Sequence, residues 1–377
     1  MRDVQFCTNT PAPERQRLVR APTAEVLERF ALAYAEAPEL TSAIGTFADM
    51  LRTPATMDVV RLSVACHEVY EWADARGYKQ TALHFAEAAA YADPMDPTRA
   101  NFAARTARRA LLRERAMAWY ARAHRLAGTA KNQREAIYAL LGYGSMMKDA
   151  GNFEEARKAF ERAARRAAGT HRRREAGEAF HDLLALALEQ RRLKLAEVYA
   201  RKALWTYPVR HRRFPALAYD VAFLFLLEFH YLGAVSILER TVPLIERPEE
   251  RALVASALAW AAGAAGWNTR RMDAERVTLE LIAQHDDYAP GVFIHLADAC
   301  RAAGEWSRAL EFITQAQDAA LERQEPGLAQ VALTLRAAIE RQEHPAREAP
   351  ETPASSALLG GILARLAKWR APGHISR

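Results

Sequence analysis

Residues 140–163 read LLGYGSMMKDAGNFEEARKAFERA, and this stretch is the clearest indication of the fold. Two helical patterns meet in it at Gly151, and an acidic pair opens the second pattern, where negative charge suits the N-terminus of a helix. Ala156 and Ala163 are small at positions where two helices must approach closely, and the phenylalanine between them fills the remaining space. The stretch therefore predicts a pair of helices joined by a tight turn.

The signature of the second helix recurs along the chain. Its first small residue returns at intervals of 34 to 40 residues, at Ala82, Ala116, Ala156, Ala196, Ala234, Ala274 and Ala309. A glycine followed by an aromatic residue marks the turn in three units, which begin their turns at Gly77, Gly151 and Gly304. Repetition at this period is typical of solenoids, in which a helix pair buries its apolar face by stacking on its neighbours.

The repeated unit resembles the tetratricopeptide repeat (TPR). That pattern has a small residue in helix A, a Gly-x-Tyr turn, and then Ala, a bulky residue and Ala in helix B. Here Gly144 takes the helix A position and Phe153 replaces the turn tyrosine. The resemblance covers roughly residues 60–324, and most units are longer than the 34 residues of a strict array. It implies an all-α, right-handed α-solenoid of about seven TPR-like helix pairs, with helical caps and a C-terminal tail.

The flanks complete the predicted organisation. Terminal repeats need caps, because they would otherwise leave an apolar face in water. We predict a flexible N-terminus over 1–22, N-terminal capping helices over 23–59, the solenoid over 60–343, a Pro-rich linker over 344–355, a short amphipathic helix over 356–371 and a disordered end over 372–377.

The last predicted helix carries its apolar residues on one side. Those expected to dock are Leu359, Ile362, Leu363, Leu366 and Trp369. Three uses of this helix stay open. It docks on a partner, lies on a membrane surface, or folds onto the solenoid of its own chain.

Composition is that of a cytoplasmic protein. Half of the 377 residues are hydrophobic and 26% are charged, and no run of 18 apolar residues predicts a transmembrane helix. Three cysteines, Cys7, Cys66 and Cys300, are odd in number and far apart, as expected of reduced thiols rather than a disulfide framework.

Positive charge concentrates in the middle of the chain. Residues 157–213 contain 16 Lys and Arg against 6 Asp and Glu, although the whole chain carries a net charge of only +6. We predict a basic edge for an acidic partner, formed by Arg172, Arg173, Arg174, Arg210, Arg212 and Arg213. Nucleic acid is not favoured as that partner, because the sequence has no recognition-helix motif and uses arginine throughout.

No motif in the sequence points to catalysis. A glycine-rich phosphate loop, GxSxG, HExxH and CxxC are all missing, so we expect no enzyme activity and no cofactor. Cys66 stands next to His67, but adjacent helical residues point about 100° apart, which favours a buried structural thiol over a nucleophile.

One polar cluster invites a metal site. It contains His285, Asp286, Asp287, His295, Asp298 and Cys300. These residue types bind metals, but their spacing matches no familiar metal motif, and polar clusters at turns are common. We therefore predict no metal here.

The resemblance also implies a binding groove, because A helices line the concave face of TPR arrays. Counting back from each key alanine gives its predicted members: His67, Glu71, Asn101, Arg105, Arg108, Tyr138, Ser145, Lys148, Glu178 and His181. An asparagine amide can bond both the donor and the acceptor of an extended peptide backbone, and Arg or Lys can bond a carboxylate. A solvated helix face is the competing interpretation of the same residues.

Three functions remain open on the sequence alone. The first is a non-catalytic scaffold or adaptor that binds a protein or peptide in the groove. The second resembles bacterial TPR-like sensors, which bind signalling peptides and regulate a transcription factor. The third is a membrane-associated assembly factor, with membrane contact through the C-terminal helix only.

Overall fold

The computed structural model describes residues 10–18, 28–29, 32–33, 35–208, 210–350 and 352–369. In these ranges the chain forms 18 α-helices and three short 3-10 helices, and no strand. Neighbouring helices pack pairwise in sequence order, which confirms the predicted class, an all-α solenoid. The chain divides into two compact units, unit 1 (residues 1–175) and unit 2 (residues 176–377).

Unit 1 contains a short helix, a cap and three helix pairs. Its helices are α1 (Ala12–Leu18), α2 (Thr41–Arg52), α3 (Val59–Ala75), α4 (Lys79–Ala92), α5 (Pro97–Arg109), α6 (Arg113–Thr129), α7 (Gln133–Asp149) and α8 (Phe153–Gly169). α9 (Arg173–Glu189) begins in this unit and continues in unit 2.

Unit 2 contains most of α9 and nine further helices. These are α10 (Leu193–Thr206), α11 (Phe214–Leu227), α12 (Tyr231–Thr241), α13 (Pro248–Ala264), α14 (Asn268–Ile282), α15 (Ala289–Ala302), α16 (Trp306–Glu322), α17 (Pro326–Glu340) and α18 (Pro353–Lys368).

The described part of the N-terminal flank contains one short helix. α1 lies inside residues 1–22, which were expected to be flexible, and Arg15 Nε donates to the carbonyl of Thr10 at 2.9 Å. α2 caps the first pair, because Ala43 and Ile44 pack against Val69 on α3. Much of the other predicted capping helix, over 23–36, and all of the end over 372–377 lie outside the described residues.

The seven key alanines all lie in the second helix of a pair. They fall on α4, α6, α8, α10, α12, α14 and α16, and each is at least nine-tenths buried. A larger side chain there would push the paired helices apart, since protein interiors are close-packed. The alanine period therefore predicts the pairs because it marks the points of closest helix approach.

A shared turn joins the two helices of every pair. Its residue has a positive φ in all seven pairs: Gly77, Leu111, Gly151, Arg191, Phe229, Gly266 and Gly304. The next amide bonds the carbonyl five residues back, as Asn152 N does to Met147 O at 2.8 Å. This is the Schellman type of helix end, which favours glycine because glycine has no Cβ to clash in the left-handed region.

The C-terminal helix folds onto its own chain. α18 packs against α10 and α12 and buries Leu358, Ile362, Leu366 and Trp369 in the core of unit 2. Gly361 permits the approach, because a Cβ there would lie 2.8 Å from a methyl carbon of Leu204. Of the predicted docking residues, Leu359 and Leu363 are half-buried at the edge of this core.

The apolar side of α18 therefore packs on protein within unit 2. The helix also starts earlier than predicted, at Pro353, because Thr352 caps it by accepting a hydrogen bond from Ser355 N at 3.1 Å.

Candidate partner-binding surface

Eight of the ten predicted groove residues lie on three helices of unit 1. α3 carries His67 and Glu71, α5 carries Asn101, Arg105 and Arg108, and α7 carries Tyr138, Ser145 and Lys148. We call the surface formed by these eight residues the A-helix face of unit 1.

An aromatic cluster supports the face between α3 and α5. The ring of His67 stacks on Tyr70 at 5.3 Å and contacts Phe102 at 4.7 Å between centroids. Arg105 lies over the Phe102 ring at 4.9 Å and donates through Nη2 to the Tyr70 hydroxyl at 2.6 Å. The guanidinium is thus held by a cation–π contact and a hydrogen bond, which fix its orientation before any partner arrives.

Asn101 is fixed by the neighbouring helix. Its Nδ2 donates to the backbone carbonyl of Glu135 at 3.0 Å and to the carboxylate Oε2 at 2.8 Å. Burial raises the pKa of this carboxyl group above its usual range. Both amide donors of Asn101 are therefore directed inward, and its Oδ1 remains as an acceptor.

Arg108 joins α5 to the end of α7. Its Nη1 donates to Asp149 Oδ2 at 2.8 Å, and against the opposing effect of burial Tyr120 and Asp149 both raise the pKa of this guanidinium. The Tyr120 ring reaches this position because residue 142 is glycine, where a Cβ would lie 2.0 Å from a ring carbon. Lys148 Nζ lies 3.6 Å from Asp149 Oδ1, so both predicted cations share one carboxylate.

Four buried polar atoms of the face have no hydrogen-bond partner within the protein. They are His67 Nδ1, Asn101 Oδ1, Arg105 Nε and Arg108 Nε. Buried polar groups in native proteins are nearly always satisfied by protein, water or ligand. All four lie on α3 and α5, with almost no solvent-accessible surface on the atoms themselves.

The electrostatic surroundings keep His67 neutral. Burial lowers its pKa to about 4, and the charges of Arg99 and Arg105 act in the same direction. At pH 7 the imidazole therefore carries no charge. The positive charge beside it comes from the two arginines, which favour an anionic or carbonyl group at this position.

Three other members of the face are Glu71, Tyr138 and Ser145, and each contacts a residue of its own helix. Glu71 is exposed, and its Oε1 lies 3.4 Å from His67 Nε2. Tyr138 is covered by the Arg134 guanidinium at 5.4 Å. The Ser145 hydroxyl donates to the carbonyl of Leu141 at 3.0 Å, so its proton is used inside its own helix.

Glu178 and His181 do not lie in an open groove, and this expectation is corrected. Both are almost fully buried in unit 2. Glu178 Oε1 lies 3.1 Å from His211 Nε2, and His181 lies within hydrogen-bond distance of Asp220 and of the Tyr207 hydroxyl. Both side chains are buried because the segment between α10 and α11 covers this part of α9.

Glycine makes that covering possible. A Cβ at Gly177 would lie 2.6 Å from the ring of Tyr207, which stacks on His211 at 4.3 Å. Counting offsets from the alanines missed this cluster, since the inserted segment follows no repeat.

The predicted basic edge divides between the two units. Arg172, Arg173 and Arg174 belong to unit 1, and Arg210, Arg212 and Arg213 belong to unit 2. Arg172 Nη1 lies 3.9 Å from Glu175, and Arg213 is paired with Asp182. Arg210 and Arg212 are exposed.

Two of the three cysteines lie in the described residues, and Cys7 lies outside them. Cys66 and Cys300 are buried free thiols, and burial raises the pKa of each to about 12. Across the described ranges, no three His, Cys, Asp or Glu side chains group as a metal ion would require. No helix in those ranges combines the length and the apolarity needed to cross a membrane.

Counting along the repeat did not identify the residues that orient the face. Tyr70 and Phe102 hold Arg105, and Glu135 and Asp149 hold Asn101 and Arg108. A signal exists for one of them, because Tyr70 stands three residues after His67 and must share its helix face.

No model of a known protein family matches the chain, and no curated protein matches it.

Proposed function

We propose that the protein is a non-catalytic scaffold that binds an extended peptide segment of a partner protein on the A-helix face of unit 1. The observation that carries this proposal is the set of half-buried polar side chains Asn101, Arg105 and Arg108, each already oriented by a hydrogen bond to a neighbour. The two guanidinium groups carry several N–H donors each, and a peptide carbonyl or an acidic side chain can accept from such donors.

The spacing of these residues suits an extended chain. Asn101, Arg105 and Arg108 are separated by four and three residues, so they share one face of α5. Seven residues of helix rise about 10 Å, which is the length of about three residues of extended peptide. A peptide lying along α5 can therefore meet all three side chains in succession.

Fixed side chains favour binding. Each of the three is already held by a neighbour, Glu135, Tyr70 or Asp149, so little rotamer entropy is lost when a partner arrives. Because Arg105 also supports Tyr70, its charge reversal would damage the fold, and a neutral polar replacement is the sharper test.

The test is selection from a random peptide library on three full-length chains: wild type, Arg105→Gln and Arg109→Gln. Arg109 is the matched control, because it lies on the same helix and its Nη1 pairs with Asp74 at 2.6 Å. Circular dichroism melts establish that all three chains are folded.

We expect a shared peptide motif to be enriched on the wild type and on Arg109→Gln, and to disappear on Arg105→Gln. The same motif on all three chains would show that binding lies elsewhere. No enrichment on the wild type would refute the proposal.

A further inference from the structure

The segment between α17 and α18 lies across unit 2 in the manner of a bound peptide. We call residues 344–350 the strap, and they form no helix. Before the strap, Arg301 Nη1 donates to the carbonyl of Glu343 at 2.9 Å. At its start the His344 ring contacts Trp306 at 4.9 Å between centroids.

Three hydrogen bonds fix the strap at the start of α12. The Tyr231 hydroxyl donates to the carbonyl of Ala346 at 2.9 Å, and the amide of Ala349 donates to the carbonyl of Phe229 at 2.8 Å. The Glu348 carboxylate accepts from the amide of Leu232 at 3.2 Å. Two of these bonds use strap backbone, and the third uses an acidic side chain.

The receiving groups are built into the fold of unit 2. Tyr231 is 1% exposed, yet its hydroxyl reaches the strap. Phe229 has a positive φ of 64°, and its carbonyl accepts the strap amide. The Leu232 amide lies in the first turn of α12, where helix N–H groups lack intrahelical partners and attract negative charge.

A cavity of about 300 Å³ lies next to the strap and is lined by Arg191, Arg301, Asp298 and Trp260, together with residues 344–346. Arg301 pairs with Asp298, which leaves Arg191 as the excess positive charge of this lining.

The strap is held less firmly than the helix that follows it. Five of its seven residues are exposed, and only Pro345 and Ala349 are half-buried. α18, by contrast, buries three large apolar side chains in the core, and Trp369 directly after it buries a fourth. The strap can therefore leave its place while α18 stays docked.

We propose that this edge of unit 2 is a recognition surface for an extended, proline-containing peptide that places a glutamate at the start of α12, and that the strap occupies it as an internal ligand. A partner segment of the same chemistry binds by displacing the strap. The site is separate from the A-helix face of unit 1 and does not depend on it.

The test uses a labelled peptide with the sequence of residues 343–350, EHPAREAP, blocked at both ends, and the full-length chain. Binding is followed by fluorescence anisotropy. Ala349→Pro removes the N–H that the strap donates to Phe229 and leaves the receiving surface intact. Arg347→Gln is the matched control, since that residue is exposed and lies between Ala346 and Glu348, which both bond to unit 2.

We expect the peptide to bind Ala349→Pro about fivefold tighter than the wild type, because one strap hydrogen bond no longer competes. Arg347→Gln should bind like the wild type. Equal affinity for Ala349→Pro and wild type, or no binding to either, would overturn the proposal.

A second arm examines the surface itself in the Ala349→Pro chain. Adding Tyr231→Phe, or replacing the glutamate of the peptide that corresponds to Glu348 by glutamine, should each weaken binding about threefold or more. Unchanged affinity in both cases would show that the peptide binds elsewhere. Arg105→Gln should leave this binding unchanged, so failure here is distinguishable from failure at unit 1.

Discussion

Replacing Leu358 by alanine tests whether α18 is part of the core of unit 2. The side chain is 2% exposed and packs in the cluster formed with α10 and α12. Truncation removes three buried carbon atoms, worth about 0.8 kcal/mol each, and leaves a cavity that adds to the loss. We expect Leu358→Ala to lower the free energy of unfolding by about 3 kcal/mol.

Leu321→Ala is the matched control, because the same atoms are removed from a residue of α16 that is 70% exposed. It should change the free energy of unfolding by less than about 0.5 kcal/mol. Both values come from urea denaturation followed by circular dichroism. Equal effects of the two substitutions would refute the docking of α18, and would restore a free or membrane-bound tail.

Three further predictions concern the turns, a buried histidine and a buried ion pair. Gly151→Ala should cost about 1 kcal/mol in urea denaturation, because φ is +75° although space is open; no loss would contradict the turn geometry. Burial lowers the pKa of His295 to about 4, so its unfolded form binds the proton first. Wild-type stability should therefore fall between about pH 6.5 and 4 more than that of His295→Gln, by about 2 kcal/mol at pH 5; parallel pH profiles would refute this. Arg271→Met should cost about 2 kcal/mol, because it removes a buried guanidinium that pairs with Glu275 and Glu305 and leaves Glu275 with Arg308 alone, whereas Arg276→Met, at an exposed pair, should cost under about 1 kcal/mol. Similar costs for the two would contradict the difference in burial.

The helix pairs were predictable because their signals are local. A small residue is needed wherever two helices touch, so Ala156 and its six equivalents reveal the period. The turns were predictable only where glycine stands. Leu111, Arg191 and Phe229 adopt the same left-handed conformation without a glycine, because the Schellman hydrogen bond and the packing on both sides determine it.

The candidate surface was only partly predictable. Counting along the repeat identifies which residues share the outer side of an A helix, as for Asn101 and Arg105. It cannot supply their partners on the next helix, such as Glu135, because those depend on tertiary packing. It also failed for Glu178, which an irregular segment covers.

The C-terminal tail was also only partly predictable from the sequence. Proline content predicts a non-helical segment, and apolar spacing predicts the helix after it. The place where the helix docks depends on the match between Gly361 and Leu204, which are far apart in sequence. Such a contact produces no periodic pattern in the sequence.

Hydrogen exchange of the full-length chain, with and without a peptide enriched on the wild type, shows directly whether a peptide binds the A-helix face of unit 1. We predict slower amide exchange in α3 and α5 when the peptide is present, with no such change for Arg105→Gln. Slower exchange confined to unit 2, or no change in either unit, would contradict binding on the A-helix face of unit 1.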